Sequence, residues 1–440
     1  MIKRFIQRVL GLRQAGPVRM PRTKHGLARN AISPAALRVC EGLAERGYAA
    51  HVVGGAVRDL LLGIKPKDFD VATDAKPEQV KPLFRRALLI GRRFRLVHVM
   101  IGGETVEVST FRAADNGEAE RTEHGRVLRD NVFGTIEEDA RRRDFTVNAL
   151  YYDPATEEVI DYHGGLADLR KRRLRMIGDP EARFREDPVR MLRAVRLGAK
   201  LGLTLDADTR APIRRLAPLL EHVPPPRLFE EMLKLLLSGH ASACLRQLRE
   251  EGLSKGLLPL LDVILEQPLG ERFVTLALAQ TDERIQTGRP VSPAFLFAAL
   301  LWHEVLSAWR ARELRGERPQ QALDSAMDEV LEVQCAKLAI TRRLTSTMRE
   351  VWGMQPRFEQ RSGQRPQHLL DSPRFRMAYD FLALRAASGE VPADLEVWWR
   401  TFQSADPDTR RAMLLPDTGP KKRRRRRRRK APGDGAAPSA

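Results

Sequence analysis

Asp68 and Asp70 stand two apart in Asp68-Phe69-Asp70-Val71, and in a strand that spacing puts both carboxylates on one face while Phe69 and Val71 turn to the other. Two carboxylates side by side repel unless a cation lies between them, and a hard ion such as Mg²⁺ favours carboxylate, water and phosphate oxygens. Upstream, the mostly apolar run 49–53 reads as a short buried strand, and Gly54-Gly55 lets the chain turn tightly with no Cβ in the way of a phosphate. Residues 56–62 read as a short helix that Gly63 can end, its first N–H groups facing an anion over the glycines. Arg58, four positions after Gly54, offers a guanidinium fork matched to phosphate oxygens, with Asp59 as its orienting partner. An Asp-x-Asp alone is common and reads as a solvated turn. Joined to Gly-Gly-x-Val-Arg-Asp and Leu-Leu-Gly, it points to metal-dependent nucleotidyl transfer, in which a pair of ions clamps the attacking and leaving oxygens.

Further motifs follow in order: Glu107-Val108-Ser109-Thr110-Phe111-Arg112, then Arg142-Arg143-Asp144-Phe145-Thr146-Val147-Asn148-Ala149, then Glu186-Asp187-Pro188-Val189-Arg190-Met191-Leu192-Arg193. Together with the run from His51 to Asp70 they resemble the class II nucleotidyltransferases of the DNA polymerase beta superfamily, namely the tRNA CCA-adding enzymes and bacterial poly(A) polymerases. The resemblance runs from about Pro21 into the helical C-terminal half. It implies Asp68 and Asp70 as catalytic metal ligands for Mg²⁺, with Mn²⁺ as the alternate ion. It implies a third carboxylate, for which Asp144 ranks first and Glu107 second. If Val106 and Val108 face the core, Glu107 faces out, whereas Asp144 could instead form an ion pair with Arg142 or Arg143. Gly54, Gly55, Arg58, Arg143 and Arg193 fall to the nucleotide, with Arg58 as a triphosphate ligand.

Asp187 and Arg190 match the Glu-Asp-x-x-Arg motif that the resemblance makes a protein template for the incoming base. A carboxylate accepts from an exocyclic amine while a guanidinium donates to the neighbouring ring nitrogen, a pattern that adenine and cytosine satisfy and guanine and uracil reverse. The pair therefore admits both ATP and CTP. Poly(A) addition is favoured over CCA addition by other stretches that resemble the bacterial poly(A) polymerases: residues 21–27, 89–99, 294–302 and 375–386. The expected activity is template-independent transfer of AMP from ATP to RNA 3′ ends, with a tRNA CCA-adding enzyme as the alternative. A catalytically silent RNA-binding adaptor is disfavoured by the intact Asp68, Asp70, Arg58, Asp187 and Arg190. Arg92, Arg93 and Arg95 could grip the RNA end or the triphosphate, and Lys421, Lys422 and Arg423 open a tail suited to RNA phosphates.

The elements that must position these groups follow from the pattern. Strand-like runs at 49–53, 69–72, 94–101 and 106–111 alternate with helical ones, giving an α+β nucleotidyltransferase head, and 113–128 is polar enough to read as a mobile loop. After Gly178-Asp179-Pro180 the pattern is helical, with Asp187 expected to cap a helix that has Pro188 in its first turn, and Ser292-Pro293 starting another. The reading is an all-α neck, body and leg after the head. Its divisions are a basic extension at 1–33, a head at 34–155, a neck at 156–240, a helical body and C-terminal domain at 241–405, and a disordered tail at 406–440.

The formal net charge is +19, with ten consecutive positive charges at 421–430, which fits a polyanionic partner such as RNA. Cys40, Cys244 and Cys335 are odd in number and far apart, suggesting neither a disulfide framework nor a zinc site but thiols in a reducing compartment. No apolar run is long enough for a transmembrane span. Residues 1–12 are amphipathic and no acid precedes Glu41, so this segment reads as a cytoplasmic basic extension, with a presequence or a surface-lying membrane helix as alternatives. A cytoplasmic monomer is expected, together with protein partners of RNA decay.

Overall fold

The computed structural model describes residues 16–91, 95–113, 132–253 and 268–416. The amphipathic segment 1–12, most of the polar loop at 113–128, Arg92, Arg93, and the tail with Lys421, Lys422 and Arg423 lie outside the described residues. The chain forms two units, 1–349 and 350–440.

The first unit is built on an eight-stranded mixed sheet in the order β1-β8-β7-β2-β3-β6-β5-β4. Its strands are β1 Val18–Met20, β2 Ala50–Val53, β3 Asp70–Thr73, β4 Ala87–Ile90, β5 Leu96–Ile101, β6 Glu104–Thr110, β7 Leu150–Asp153 and β8 Glu158–Asp161. All neighbours are antiparallel except β3 and β6, which run parallel. The sheet takes in β1 and β8, which lie outside 34–155.

One face of the sheet is a plain hydrophobic layer. Val52, Val71, Val97, Val99, Val106 and Val108 are buried there, as are Ala36, Val39 and Leu43 of helix α1, Pro34–Ala44. Period-two burial and branched side chains make these residues strands rather than helix. Ser33 starts α1 by accepting hydrogen bonds from the N–H groups of Ala35 and Ala36 at 3.1 and 3.2 Å, with Pro34 in the first turn.

On the opposite face a single register row crosses the whole sheet: Arg19, Ile160, Tyr151, Val53, Asp70, Glu107, His98 and Leu88. Half of this face is roofed. Val53, Ala72, Tyr151 and Ile160 pack with Phe111 and with Ala140 of helix α3, Ile136–Arg142. Helix α2, Gly55–Leu61, follows directly from β2.

Beyond the sheet the unit is helical. Helix α4 spans Pro180–Glu186, α5 spans Val189–Leu201 and α6 spans Pro225–Leu236. Further helices include Pro293–Leu314, where Ser292 Oγ accepts from Phe295 N–H at 3.4 Å as the Ser-Pro start predicts. The second unit has an aromatic core of Phe358, Phe375, Tyr379, Trp399 and Phe402, and Trp399 donates to the Phe358 carbonyl at 2.8 Å. Among the described residues no helix is long and apolar enough to cross a membrane. Cys40 and Cys244 are buried, Cys335 is half-buried, and none is in a disulfide.

Candidate active site

β3 begins at Asp70, and Asp68 precedes it in irregular chain. The expected alternation nonetheless holds, with Phe69 and Val71 buried and both aspartates exposed. Asp70 is the direct partner of Glu107 across the parallel β3–β6 pair. Val106 and Val108 are buried, which turns Glu107 to the Asp70 face. The Asp70 carboxyl is pushed up to about 6, first by the protein packed around it and then by the charge of Glu107, with Arg143 opposing and Asp68 adding. His98 Nε2 stands 3.7 Å from Glu107 Oε2 on the far side. Among the described residues no three acidic, histidine or cysteine side chains are closed to metal-holding distance. The donor chemistry nevertheless fits a hard divalent ion, because Asp68, Asp70 and Glu107 are oxygen ligands whose mutual repulsion a cation relieves.

The glycine turn lies at the neighbouring strand end. Gly54 has φ +76° and ψ −127°, a conformation open to glycine and little else. A Cβ there would sit 3.3 Å from Arg143 Nη1, and one on Gly55 would sit 3.5 Å from Arg58 Nη2. Arg58 and Arg143 therefore flank the glycines, but differently. Arg58 is buried, donating to Asp59 through Nε and Nη2 at 2.8 and 2.5 Å and to Asn148 Oδ1 through Nη1 at 2.5 Å. Asp59 is thus its orienting partner, as expected, and three of its five N–H groups are engaged within the protein.

Arg143 is anchored by Nε and Nη2 on Asp139 at 3.2 and 3.0 Å and lies over the Tyr151 ring, 5.2 Å from its centre. Burial alone would weaken its charge, but Tyr151 and Asp139 more than compensate and hold it protonated. Its Nη1 is left to point past Gly54.

Asp144, ranked first as the third carboxylate, has both of its oxygens engaged within the protein. Its Oδ1 accepts from Phe145 N–H at 2.8 Å and Asn148 Nδ2 at 3.0 Å, and its Oδ2 accepts from Arg193 Nε and Nη2 at 2.8 and 2.6 Å. Burial would raise its pKa, yet Arg193 and these hydrogen bonds hold it well below the usual carboxylate range. The ion pair runs to Arg193, neither to Arg142 nor to Arg143, and Glu107 is the carboxylate beside Asp70.

Asp187 and Arg190 share a cavity of about 340 Å³ with Arg143, Asp144, Arg193 and Arg227. Asp187 does not cap α5, whose first turn has no side-chain cap; its Oδ2 pairs with Arg227 instead. Its Oδ1 is buried with no hydrogen-bond donor, an orphaned acceptor on a residue that lines the cavity. Arg190 Nη1 donates to Glu186 at 2.7 Å and to the Arg183 carbonyl at 2.8 Å, which holds the guanidinium in place. The cavity wall also includes Arg227, Glu230, Glu231 and Lys234 of α6, which sequence reasoning did not single out. Their separation by three, one and three residues marks one helical stripe, but nothing in that spacing says which neighbour it faces. Arg95, the one described member of the basic cluster at 92–95, is ion-paired with Glu78 at 2.5 Å.

The site joins an acidic strand edge, a glycine turn flanked by arginines, and a cavity lined by Asp187 and Arg190. Comparison with known proteins agrees with that combination. The profile described as "Poly A polymerase head domain" matches residues 50–175. "Probable RNA and SrmB- binding site of polymerase A" matches 202–265, and "Polymerase A arginine-rich C-terminus" matches 315–431. The chain is 48% identical over 411 residues to a protein named Poly(A) polymerase I from Escherichia coli O157:H7, covering 90% of this chain and 88% of that one. A CCA-adding enzyme of Geobacillus thermodenitrificans is 42% identical over 219 residues, covering 50% of this chain and 53% of that one. The crystal structure of the Bacillus stearothermophilus CCA-adding enzyme in complex with CTP aligns with TM-score 0.57 at 29% identity, covering 84% of this chain and 82% of that one.

Proposed function

The chain belongs to the poly(A) polymerase family, and from that footing we propose that it transfers AMP from ATP to the 3′-hydroxyl of RNA, without a template, in RNA processing and decay. The observation that carries the proposal is the single cavity joining the orphaned Asp187 Oδ1 and Arg190 to Arg143 beside Gly54. It can seat a base at one end and a triphosphate at the other. Adenine would donate its exocyclic amine to Asp187 Oδ1 and accept at its ring nitrogen from Arg190. Arg143 Nη1 and the Gly54-Gly55 turn would receive the phosphates, with Arg58 stiffening the turn from below.

In the reaction the RNA 3′-oxygen bonds to the α-phosphorus, the α–β bridging bond breaks, and pyrophosphate leaves with those electrons while the hydroxyl proton is lost. Asp68, Asp70 and Glu107 are the residues that would hold Mg²⁺ or Mn²⁺. Such ions, when bound, lower the charge repulsion between nucleophile and phosphate. Asp144 is better read as an orienting residue, holding Arg193 and Asn148 and through Asn148 the Arg58 guanidinium. Positioning and preorganised charge then account for most of the acceleration. The 48% identity to a poly(A) polymerase over 90% of this chain, set against 42% over 50% and 35% over 66% for CCA-adding enzymes, supports ATP as the sole nucleotide. We place the enzyme in the cytoplasm, acting as a monomer on RNA 3′ ends.

The test is incubation of purified protein with Mg²⁺, a labelled RNA of arbitrary 3′ end, and ATP or CTP alone. A long ladder with ATP only is expected. Addition that stops after one or two residues and needs CTP on a tRNA lacking its end would transfer the chain to the CCA-adding class.

A further inference from the structure

The sheet face that carries Asp70 and Glu107 is roofed by α3 from β3 toward β8. On the other side, toward β4, the described residues leave the side chains of Glu107 and His98 46% and 36% exposed. His98, on β5, is in register with Glu107, and Leu88, on β4, is in register with His98, so all four side chains of this row face the same way. Leu88 is 53% exposed and Ile90, two residues along the same face, is 39% exposed. Leu96, in register with Ile90, and Met100 are half-buried on that face. The strands are ~4.8 Å apart, so His98 stands about one strand from Glu107 and roughly 10 Å from Asp70.

An open edge strand with exposed apolar side chains is a liability that a soluble protein ordinarily blunts. Here it adjoins the acidic row, and exposed Arg85 and Arg86 lead into β4. The direction of the chemistry says what it meets. The proposed nucleotide site, with Gly54, Arg143 and the base cavity, lies on the β2 side of Asp70. An in-line displacement brings the nucleophile from the side opposite the leaving group, which is the β6–β5–β4 side.

We propose that this open face is the platform for the 3′-terminal nucleotides of the RNA, with the last base against the His98 ring and the preceding base on Leu88 and Ile90. Sheet-mounted aromatic and apolar side chains stack unpaired bases without regard to sequence, while neighbouring arginines take the phosphates. That suits an enzyme that must accept any 3′ end and then its own product. The inference rests on the proposed reaction for its orientation.

The experiment compares the full chain with Leu88→Ser/Ile90→Ser, His98→Ala, His98→Phe and His98→Gln, using a labelled oligoribonucleotide. Three quantities are read: KM for RNA, KM for ATP, and equilibrium binding of the oligonucleotide without ATP. The Leu88→Ser/Ile90→Ser and His98→Ala variants are expected to raise KM for RNA and weaken binding about ten-fold, with KM for ATP and the unfolding temperature unchanged. His98→Phe should keep the wild-type values because it keeps a stacking ring. Unchanged RNA binding in both weakened variants overturns the platform. So does rescue by His98→Gln but not by His98→Phe, which would make His98 a hydrogen-bonding partner of Glu107 instead. If the wild type binds RNA yet extends nothing with ATP, the proposed reaction fails, while the binding comparison still decides the platform.

Discussion

Asp144 and Arg193 close a two-pronged ion pair, with both Arg193 Nε and Nη2 on Asp144 Oδ2, and it ties the loop after α3 to the middle of α5. Replacing Asp144 with Asn should destabilise the protein by about 2–3 kcal/mol, less than for a fully buried pair because Arg193 keeps a third of its surface in solvent. Because the folded-state pKa of Asp144 is depressed, its contribution is present above the unfolded value of 3.8 and fades as the pH falls below it. The gap between wild type and variant, read by urea unfolding, should therefore narrow below about pH 4. A gap that is constant with pH would refute the assignment.

Asp70 behaves in the opposite sense. Its folded-state pKa is raised to about 6 from 3.8, so in the absence of divalent ions its ionisation costs stability as the pH rises through that range. Asp70→Asn should stabilise metal-free protein at neutral pH by on the order of 1 kcal/mol, after allowance for solvent screening, while abolishing incorporation. The Mg²⁺ concentration for half-maximal activity of the wild type should climb steeply below pH 6, where protons compete for the carboxylate. A flat metal requirement from pH 5 to 8 would count against Asp70 as a ligand.

Gly54→Ala forces a Cβ into a backbone conformation that side chains avoid, 3.3 Å from Arg143 Nη1. The expected cost is about 1–3 kcal/mol of stability, together with a fall in kcat/KM for ATP from displacement of that guanidinium. Chemical denaturation and steady-state kinetics on one preparation separate the two effects. Wild-type kinetics in this variant would remove Arg143 from the phosphate site.

Arg227→Ala frees Asp187 Oδ2 and lets the carboxylate turn. KM for ATP should rise about ten-fold, the loss of roughly 1.4 kcal/mol, and GTP or UTP incorporation should appear. Unaltered selectivity among the four nucleotides would mean that Asp187 does not need Arg227 to read the base.

Sequence reasoning reached the parts of the site whose signal is local. The alternation around Asp68 and Asp70 and the outward turn of Glu107 between two buried valines are properties of a few adjacent residues. The surroundings of the two candidate third carboxylates could not be read that way. Glu107 gains its position from a parallel pairing with Asp70, and Asp144 is occupied by Arg193, 49 residues on. Arg227 was passed over for the same reason, since its partner Asp187 lies 40 residues away and on another helix boundary. The edge strand β4 was missed because half-exposed apolar residues beside arginines do not alternate cleanly in hydropathy.

Arg183 Nη2 donates to the carbonyls of Arg142 and Arg143 at 2.6 and 2.7 Å, while its own carbonyl accepts from Arg190. Arg190 and the arginine beside Gly54 are therefore linked through one intervening residue, Arg183, and cannot drift apart independently. Such a link acts as a calliper. A purine held by its outer edge spans one ring more than a pyrimidine held the same way, so the two would present their α-phosphates at different distances from Asp70. Choice between ATP and CTP, which the edge pattern of the bases leaves open, can then be made by length.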